Sequence, residues 1–393
     1  MQKLVQFGAG NIGRSFIGQL FSRAGWEVVF IDVDARIIGA LNDRRSYRIE
    51  VADTPPGEIL VTNVRALNSA DANAVVQELC EAQMAGTAVG ANVLPYLYPV
   101  LAAGLVEREK LGQPPLDIIL CENLQGAAAI VEMGIRRHLP PDFPFESVVG
   151  LVETSIGKMV PLMPKSLRDL DPLLVRAEAY NTLIVDALAF KSAIPEVPGL
   201  APRANMRAYV DRKLYIHNLG HAAAAYEAHV LHPDVKTIAE AVQIDAVREI
   251  ACSAMREAAR ALEVAYPGEF SASDLEEHIQ DLLRRFANPA LGDTVFRVGR
   301  DVRRKLARTD RIIGAMLLDL SFGVEPEAAA RVARAAMQFA AVDENGELDP
   351  SDRAFRIEDL EQGFEYVLRK VCGLDSANRL DQQAMQLILA AEF

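Results

Sequence analysis

The stretch Lys213-Leu-Tyr-Ile-His-Asn218-Leu-Gly-His221 places an amine, a carboxamide and an imidazole within nine residues. On an α-helix turning about 100° per residue, Asn218 lies about 140° and His221 about 80° around from Lys213, so the three share one side. A lysine of lowered pKa can abstract a proton, an asparagine can hold an oxygen that gains charge, and a histidine can orient or relay. Together they have the equipment to oxidise an alcohol without a metal. The same residues also fit a mixed polar helix face, with Lys213 solvated and His221 hydrogen-bonded in a core. His217 falls on the same side, so geometry alone leaves it open as an alternative base.

The N-terminus weighs for chemistry. Leu4-Val-Gln-Phe-Gly8-Ala9-Gly10-Asn11-Ile12-Gly13-Arg14 joins a short apolar run to Gly-x-Gly-x-x-Gly, and a helical pattern follows. This is the strand–turn–helix context of a dinucleotide fingerprint. Gly8 would allow the tight turn, Gly10 the approach of a pyrophosphate, and Gly13 close helix–strand packing. Ala9, Asn11 and Ile12 complete the turn, whose helix N-terminus offers unpaired N–H groups to phosphates. A second apolar run, Val28-Val-Phe-Ile-Asp32, ends in an acid placed to meet ribose hydroxyls. Asp32 would repel a 2′-phosphate, so NAD is the expected cofactor, with NADP kept open by Arg36.

These sites need two supports. From Met1 to about Asp186, apolar β-type runs alternate with helical patterns, among them 60–64, 85–89, 117–121, 148–152 and 173–178. Alternation of this kind predicts an α/β fold with a parallel, doubly wound sheet binding ligands at its strands' carboxyl ends. Ile194-Pro-Glu-Val-Pro-Gly-Leu-Ala-Pro202 reads as a linker, and beyond it the periodicity is helical. The expected division is a Rossmann-type domain over 1–193 and an all-helical substrate domain over 194–393. Lys213 follows the linker closely, so an interdomain cleft is the expected place for the reaction.

Composition narrows the class. The 393 residues exceed one ordinary core, and half are apolar. A net charge of −13 argues against nucleic acid and anionic membranes as partners. No apolar run is long enough to span a bilayer. Met1 leads directly into the first strand, so a cytoplasmic location is expected. Four dispersed cysteines and six histidines form no recognisable metal pattern, and no metal is expected. Oligomeric state is not legible.

The chain resembles the polyol-specific long-chain dehydrogenases over nearly its whole length. The resemblance rests on Phe7–Arg14, Ala88-Val89-Gly90, Cys121-Glu-Asn123, Lys213–His221, Arg285-Phe-Ala-Asn-Pro289, and Arg297-Val-Gly-Arg300 with Arg304-Lys305-Leu306. It implies an NAD-dependent, metal-independent hydride transfer with Lys213 as general base. Asn218 and Asn123 would donate to the oxygen, and His221 would orient the substrate or the lysine. Val89 and Gly90 join the expected cofactor contacts. Within the family, the implied reaction is reversible oxidation of a sugar phosphate, mannitol 1-phosphate, to fructose 6-phosphate. A hexuronate or a free polyol such as mannitol is the alternative substrate.

A phosphate needs cations. Arg297, Arg300 and Arg304 recur at i, i+3 and i+7, aligned if the segment is one helix, with Lys305 in reach. Lys191 and Arg207 are further candidates. Two positions depart from the family pattern: His217 stands where an apolar residue is expected, and Asp211 replaces a glutamate.

Overall fold

A computed structural model describes residues 1–393 except 54, 162 and 164, and the side chains of all the others but 165 and 166. The chain forms two compact units, Met1–Met206 and Arg207–Phe393.

The first unit carries β1 Lys3–Phe7, β2 Glu27–Asp32, β3 Tyr47–Val51, β4 Gly57–Val61, β5 Val64–Asn68, β6 Met84–Thr87, β7 Leu116–Leu120, β8 Val149–Ser155, β9 Val175–Ala177, β10 Leu183–Asp186 and β11 Leu200–Arg203. Eight strands form one sheet in the order β11-β10-β8-β7-β6-β1-β2-β5. The run β5-β2-β1-β6-β7-β8 is parallel throughout, and strand order reverses at β1. In such sheets ligands bind at the carboxyl ends beside the reversal, where Phe7 passes into Gly8. All five residues of β1 and of β7 are buried, as strands covered on both faces require. One apolar cluster on each face fills the space between sheet and helices.

Four sequence expectations change here. The sheet is not wholly parallel: β10 runs antiparallel to β8. The run 60–64 is not one strand, because Asn63 turns with φ +54° and separates β4 from β5. With β9, which falls within the expected run 173–178, β4 and β3 make a second, three-stranded sheet. The expected linker lies partly in the large sheet, since Leu200–Arg203 pairs in parallel with β10 as an edge strand. Buried Asp117 draws the approach to that strand inward, accepting from the backbone N–H groups of Lys191 (2.7 Å) and Ser192 (3.1 Å).

The described part of the second unit is helical. Its centre is the helix Leu219–Leu231, whose residues 219–228 are all buried except His221. Four consecutive alanines, Ala222–Ala225, let the helices Asp245–Ala265 and Glu327–Gln338 approach closely. A Cβ on Gly220 would stand 2.3 Å from Met255 Sδ, so a side chain there would push the buried Met255 aside. Reciprocal capping boxes, Thr237 with Glu240 and Ser271 with Asp274, start two of the surrounding helices. Among the described residues, no helix is long and apolar enough to cross a membrane.

Candidate active site

The glycine turn of the first unit has a distinct geometry at each glycine. Gly8 adopts φ +90° and donates its N–H to Ile31 O at 2.8 Å. A side chain there would be strained, and its Cβ would stand 2.5 Å from Ala88 O. At Gly13 a Cβ would fall 2.0 Å from Gly8 O, so the helix packs directly on the turn. Gly10 is exposed and a Cβ would meet nothing, leaving open space over the backbone. Asn11 and Ile12 form the first helical residues, which continue into a π-helical turn, Gly13–Gly18. Buried Arg14 braces the turn, donating to Ala9 O at 2.6 Å and to Pro172 O at 3.0 Å.

Asp32 ends β2 beside this turn. One carboxylate oxygen accepts from Ala9 N (2.7 Å), the other from Val33 N (2.7 Å) and Asp34 N (3.0 Å). An open cavity of about 940 Å³ adjoins it, with Gly8, Gly10, Asp32, Val33, Val89 and Tyr96 in its lining. Its walls are mostly apolar, with the Asp32 carboxylate, Ser69, Asn73, Tyr96 and the glycine turn as polar features, which fits a dinucleotide. Val89 and Gly90 follow β6, and Gly90 takes φ +88°. Asn123 is exposed in the loop after β7.

In the second unit, Lys213–Asn218 is one π-helical turn leading directly into the helix Leu219–Leu231. A turn closed by i→i+5 bonds is wider than an α-turn, so position i+5 comes back over position i. Asn218 is therefore aligned with Lys213 more closely than the uniform α-helix expected from sequence allows. Burial, with the charge of Arg311 adding to it, lowers the Lys213 pKa to about 8. His221 lies one turn beyond Asn218, stacked on Phe286 with ring centroids 4.7 Å apart. Its Nε2 is 3.3 Å from Asp293 Oδ2, and Arg297 Nη2 is 2.8 Å from the other oxygen. Burial opposes ionisation of Asp293, but His221 and Arg297 outweigh it and hold the carboxyl below its usual range.

His217 is buried, and desolvation, reinforced by Arg285 and neighbouring cations, pushes its pKa well below the ordinary value. It stays neutral at physiological pH. Asp211 is buried too, accepting from Arg207 Nε at 2.9 Å and from the Tyr266 hydroxyl.

The basic segment is not one helix. Val295–Gly299 ends where Arg300 becomes extended and Asp301 takes φ +67°, and Val302–Lys305 starts afresh. Asp352 imposes the break, accepting from the N–H groups of Asp301 (3.1 Å) and Val302 (2.8 Å). The i, i+3, i+7 alignment of the three arginines is thereby lost. Arg297 holds Asp293, Arg300 lies 3.7 Å from Asp349, and Arg304 pairs with Asp301 and, at 3.1 Å, Asp310. Lys305 is buried and donates to Arg300 O; burial first, then Arg311 and Arg304, lower its pKa to about 7. Arg311, tied to Asp310 Oδ1 at 2.8 Å, thus acts on both Lys213 and Lys305.

Residues 2–199 match the mannitol dehydrogenase Rossmann domain and residues 205–386 the mannitol dehydrogenase C-terminal domain. The chain belongs to the mannitol dehydrogenase family. It is similar to a mannitol-1-phosphate 5-dehydrogenase of Brevibacillus brevis, 32% identical over 382 residues, covering 96% of this chain and 95% of the relative. A mannitol-1-phosphate 5-dehydrogenase of Bacillus licheniformis is 34% identical over 379 residues, covering 96% and 97%. Among solved structures, the Pseudomonas fluorescens mannitol 2-dehydrogenase in ternary complex with NAD and D-mannitol shares the fold. The TM-score is 0.72 at 16% identity, covering 99% of this chain and 91% of that one.

As a member of the mannitol dehydrogenase family with a Rossmann domain, the chain is an NAD-dependent dehydrogenase. Sequence reasoning missed Arg311, because nothing in a single sequence says which arginine will lie near Lys213. It also passed over Glu122, a buried acid inside the Cys121-Glu-Asn123 motif, whose position between two named residues was the available signal.

Proposed function

We propose that this chain interconverts mannitol 1-phosphate and fructose 6-phosphate with NAD, using Lys213 as the proton-transfer group. The observation that carries the reading is the half-buried Lys213 amine, of pKa about 8, heading the π-turn that ends at Asn218. Bound NAD would supply the hydride acceptor. The Gly8–Gly13 turn with Ala9, Asn11 and Ile12 would cradle it, Asp32 would face a ribose, and Val89 and Gly90 would close one side. The open space over Gly10 and the largely apolar cavity beside Asp32 support that assignment.

The neutral Lys213 amine takes the proton of the substrate's secondary hydroxyl as the carbon gives up hydride. Asn218 and Asn123 donate to the oxygen while it carries negative charge. His221, held by Phe286 and Asp293, orients the hydroxyl. In the other direction the Lys213 ammonium donates its proton to the ketone. Arg297, Arg300, Arg304 and Lys305 are the proposed phosphate contacts, and Arg311 is added to them because its charge reaches Lys213 and Lys305. The names borne by the two relatives above support a phosphorylated substrate.

The test is NADH consumption with fructose 6-phosphate, free fructose and a ketouronate. Turnover with fructose 6-phosphate at the highest kcat/KM is the expected result. A preference for free fructose or the ketouronate would make the enzyme a mannitol 2-dehydrogenase or a hexuronate reductase.

A further inference from the structure

Glu122 is a buried acid at the carboxyl end of β7, and the mechanism above gives it no task. Both carboxyl oxygens are used. One accepts from the Thr87 hydroxyl at 2.6 Å, the other from the backbone N–H of Val89 at 3.0 Å. Thr87 is the last residue of β6, and Val89 is the second residue beyond it. The backbone is already joined across these two strands, since Cys121 N donates to Thr87 O at 2.9 Å. Glu122 adds side-chain ties just past the point where regular pairing stops.

The segment held this way faces the glycine turn. Ala88 N donates to Phe7 O at 2.9 Å, and a Cβ on Gly8 would stand 2.5 Å from Ala88 O and 3.2 Å from Val89 Cγ1. Ala88 and Val89 both line the 940 Å³ cavity with Gly8, Gly10 and Asp32. Immediately after Val89 the chain reverses through Gly90 at φ +88°. A loop with a left-handed glycine has several conformations of similar energy, so an anchor on its preceding N–H selects one. Glu122 also accepts through its own backbone, Leu124 N donating to Glu122 O at 2.9 Å, which fixes the turn that contains Asn123.

We infer that Glu122 is a positioning residue for the cofactor: its carboxyl, clasping Thr87 Oγ1 and Val89 N, sets the Ala88–Val89 wall of the dinucleotide cavity before NAD arrives. The inference rests on the reading that this cavity takes the dinucleotide. In this role Glu122 acts through Thr87 and Val89 rather than by contact with NAD. Loss of the clasp leaves the buried Thr87 hydroxyl and the half-buried Val89 N–H without this partner and lets the wall relax, so NAD must reorder it on binding.

The experiment measures NAD affinity by titration of the whole protein, and steady-state kcat and KM for NAD, in four variants. Glu122→Ala is expected to weaken NAD binding and raise KM about 10- to 100-fold, with kcat at saturating NAD within about threefold of wild type. Glu122→Gln should restore affinity to within about threefold, because its amide oxygen can accept from Val89 N while its NH₂ donates to Thr87 Oγ1. Thr87→Ala removes one anchor and leaves the acid in place; about three- to tenfold weaker binding is expected, and this variant decides the matter should Glu122→Ala not fold. Unchanged affinity in Glu122→Ala or Thr87→Ala overturns the inference, and so does a Gln variant as impaired as the Ala variant. Asp32→Ala separates the two readings. If Asp32→Ala leaves NAD affinity unchanged, the cavity assignment fails; if it weakens binding while Glu122→Ala does not, only the role of Glu122 fails.

Discussion

Lys213 and Asn218 stand at the two ends of a single π-helical turn. They are five positions apart, a spacing that an α-helix would leave about 140° around and that an i→i+5 turn brings into line. The irregularity thus brings two groups five positions apart to one side of the helix, as the proposed proton transfer needs.

Proton transfer by Lys213 gives a signed pH dependence. With its pKa lowered to about 8, the amine becomes available as pH rises through that value. Polyol oxidation is expected to climb with pH through about 8, and ketone reduction to fall. Lys213→Ala should lower kcat by about 10²–10⁴-fold and abolish that limb. Arg311→Gln removes the positive neighbour, so the limb should move to higher pH, measured as the midpoint of kcat against pH. A midpoint unmoved by Arg311→Gln would leave burial as the only cause of the lowered value.

Gly10 and Gly13 are expected to separate binding from folding. A Cβ on Gly10 meets nothing in the protein, so Gly10→Ala should unfold at the wild-type temperature yet bind NAD at least tenfold more weakly, in rough terms. A Cβ on Gly13 would overlap Gly8 O, and overpacking of this kind costs about 1–3 kcal/mol or more. Thermal unfolding with and without NAD distinguishes the two variants.

Neutralising Arg300 or Arg304 should raise KM for fructose 6-phosphate far more than KM for free fructose. Loss of a charge-assisted hydrogen bond costs about 1.5–3 kcal/mol, roughly 10- to 150-fold. Both arginines already face carboxylates, Asp349 and the Asp301–Asp310 pair. Equal effects on the two substrates would move the phosphate to Lys305 and Arg311.

Asp319 carries a prediction about stability. It is fully buried, neither carboxyl oxygen has a hydrogen-bond partner among the described residues, and burial, with Glu257 adding to it, raises its pKa to about 8. The folded protein keeps this proton over a range where the unfolded chain has released it. Stability therefore falls as pH rises from about 4 to about 8, and this contribution is flat above. Asp319→Asn cannot ionise, so its advantage in melting temperature should grow across that window. Each kcal/mol gained corresponds to roughly 2–4 °C for a unit of this size. A difference between variant and wild type that does not change with pH would mean that Asp319 titrates normally.

Much of the proposed site is legible in the sequence because its signals are local. The glycine turn, Asp32 at a strand end, and the Lys213–Asn218–His221 spacing each lie within a few residues and answer to backbone rules. What escaped depends on distant partners. The helix break at Arg300 and Asp301 comes from Asp352, about fifty residues on, which takes the two N–H groups a continuous helix would have buried. The strand Leu200–Arg203 hides behind Pro202 and the prolines just before it, which mark a loop in isolation, although a proline is admissible in an edge strand. Arg311 and Glu122 act through folded neighbours, Lys213 in one unit and Val89 in the other.

That edge strand has a consequence for the molecule among its copies. A parallel sheet ends in exposed N–H and C=O groups, which invite a strand from another chain. Here the last strand is only four residues, Leu-Ala-Pro-Arg, with its last two side chains, Pro202 and Arg203, open to water. Proline has no N–H to offer a newcomer, and the arginine beside it repels an apolar one. The same four residues that complete the sheet thus also terminate it, and guard a large β-structure against polymerising along its own hydrogen-bond direction.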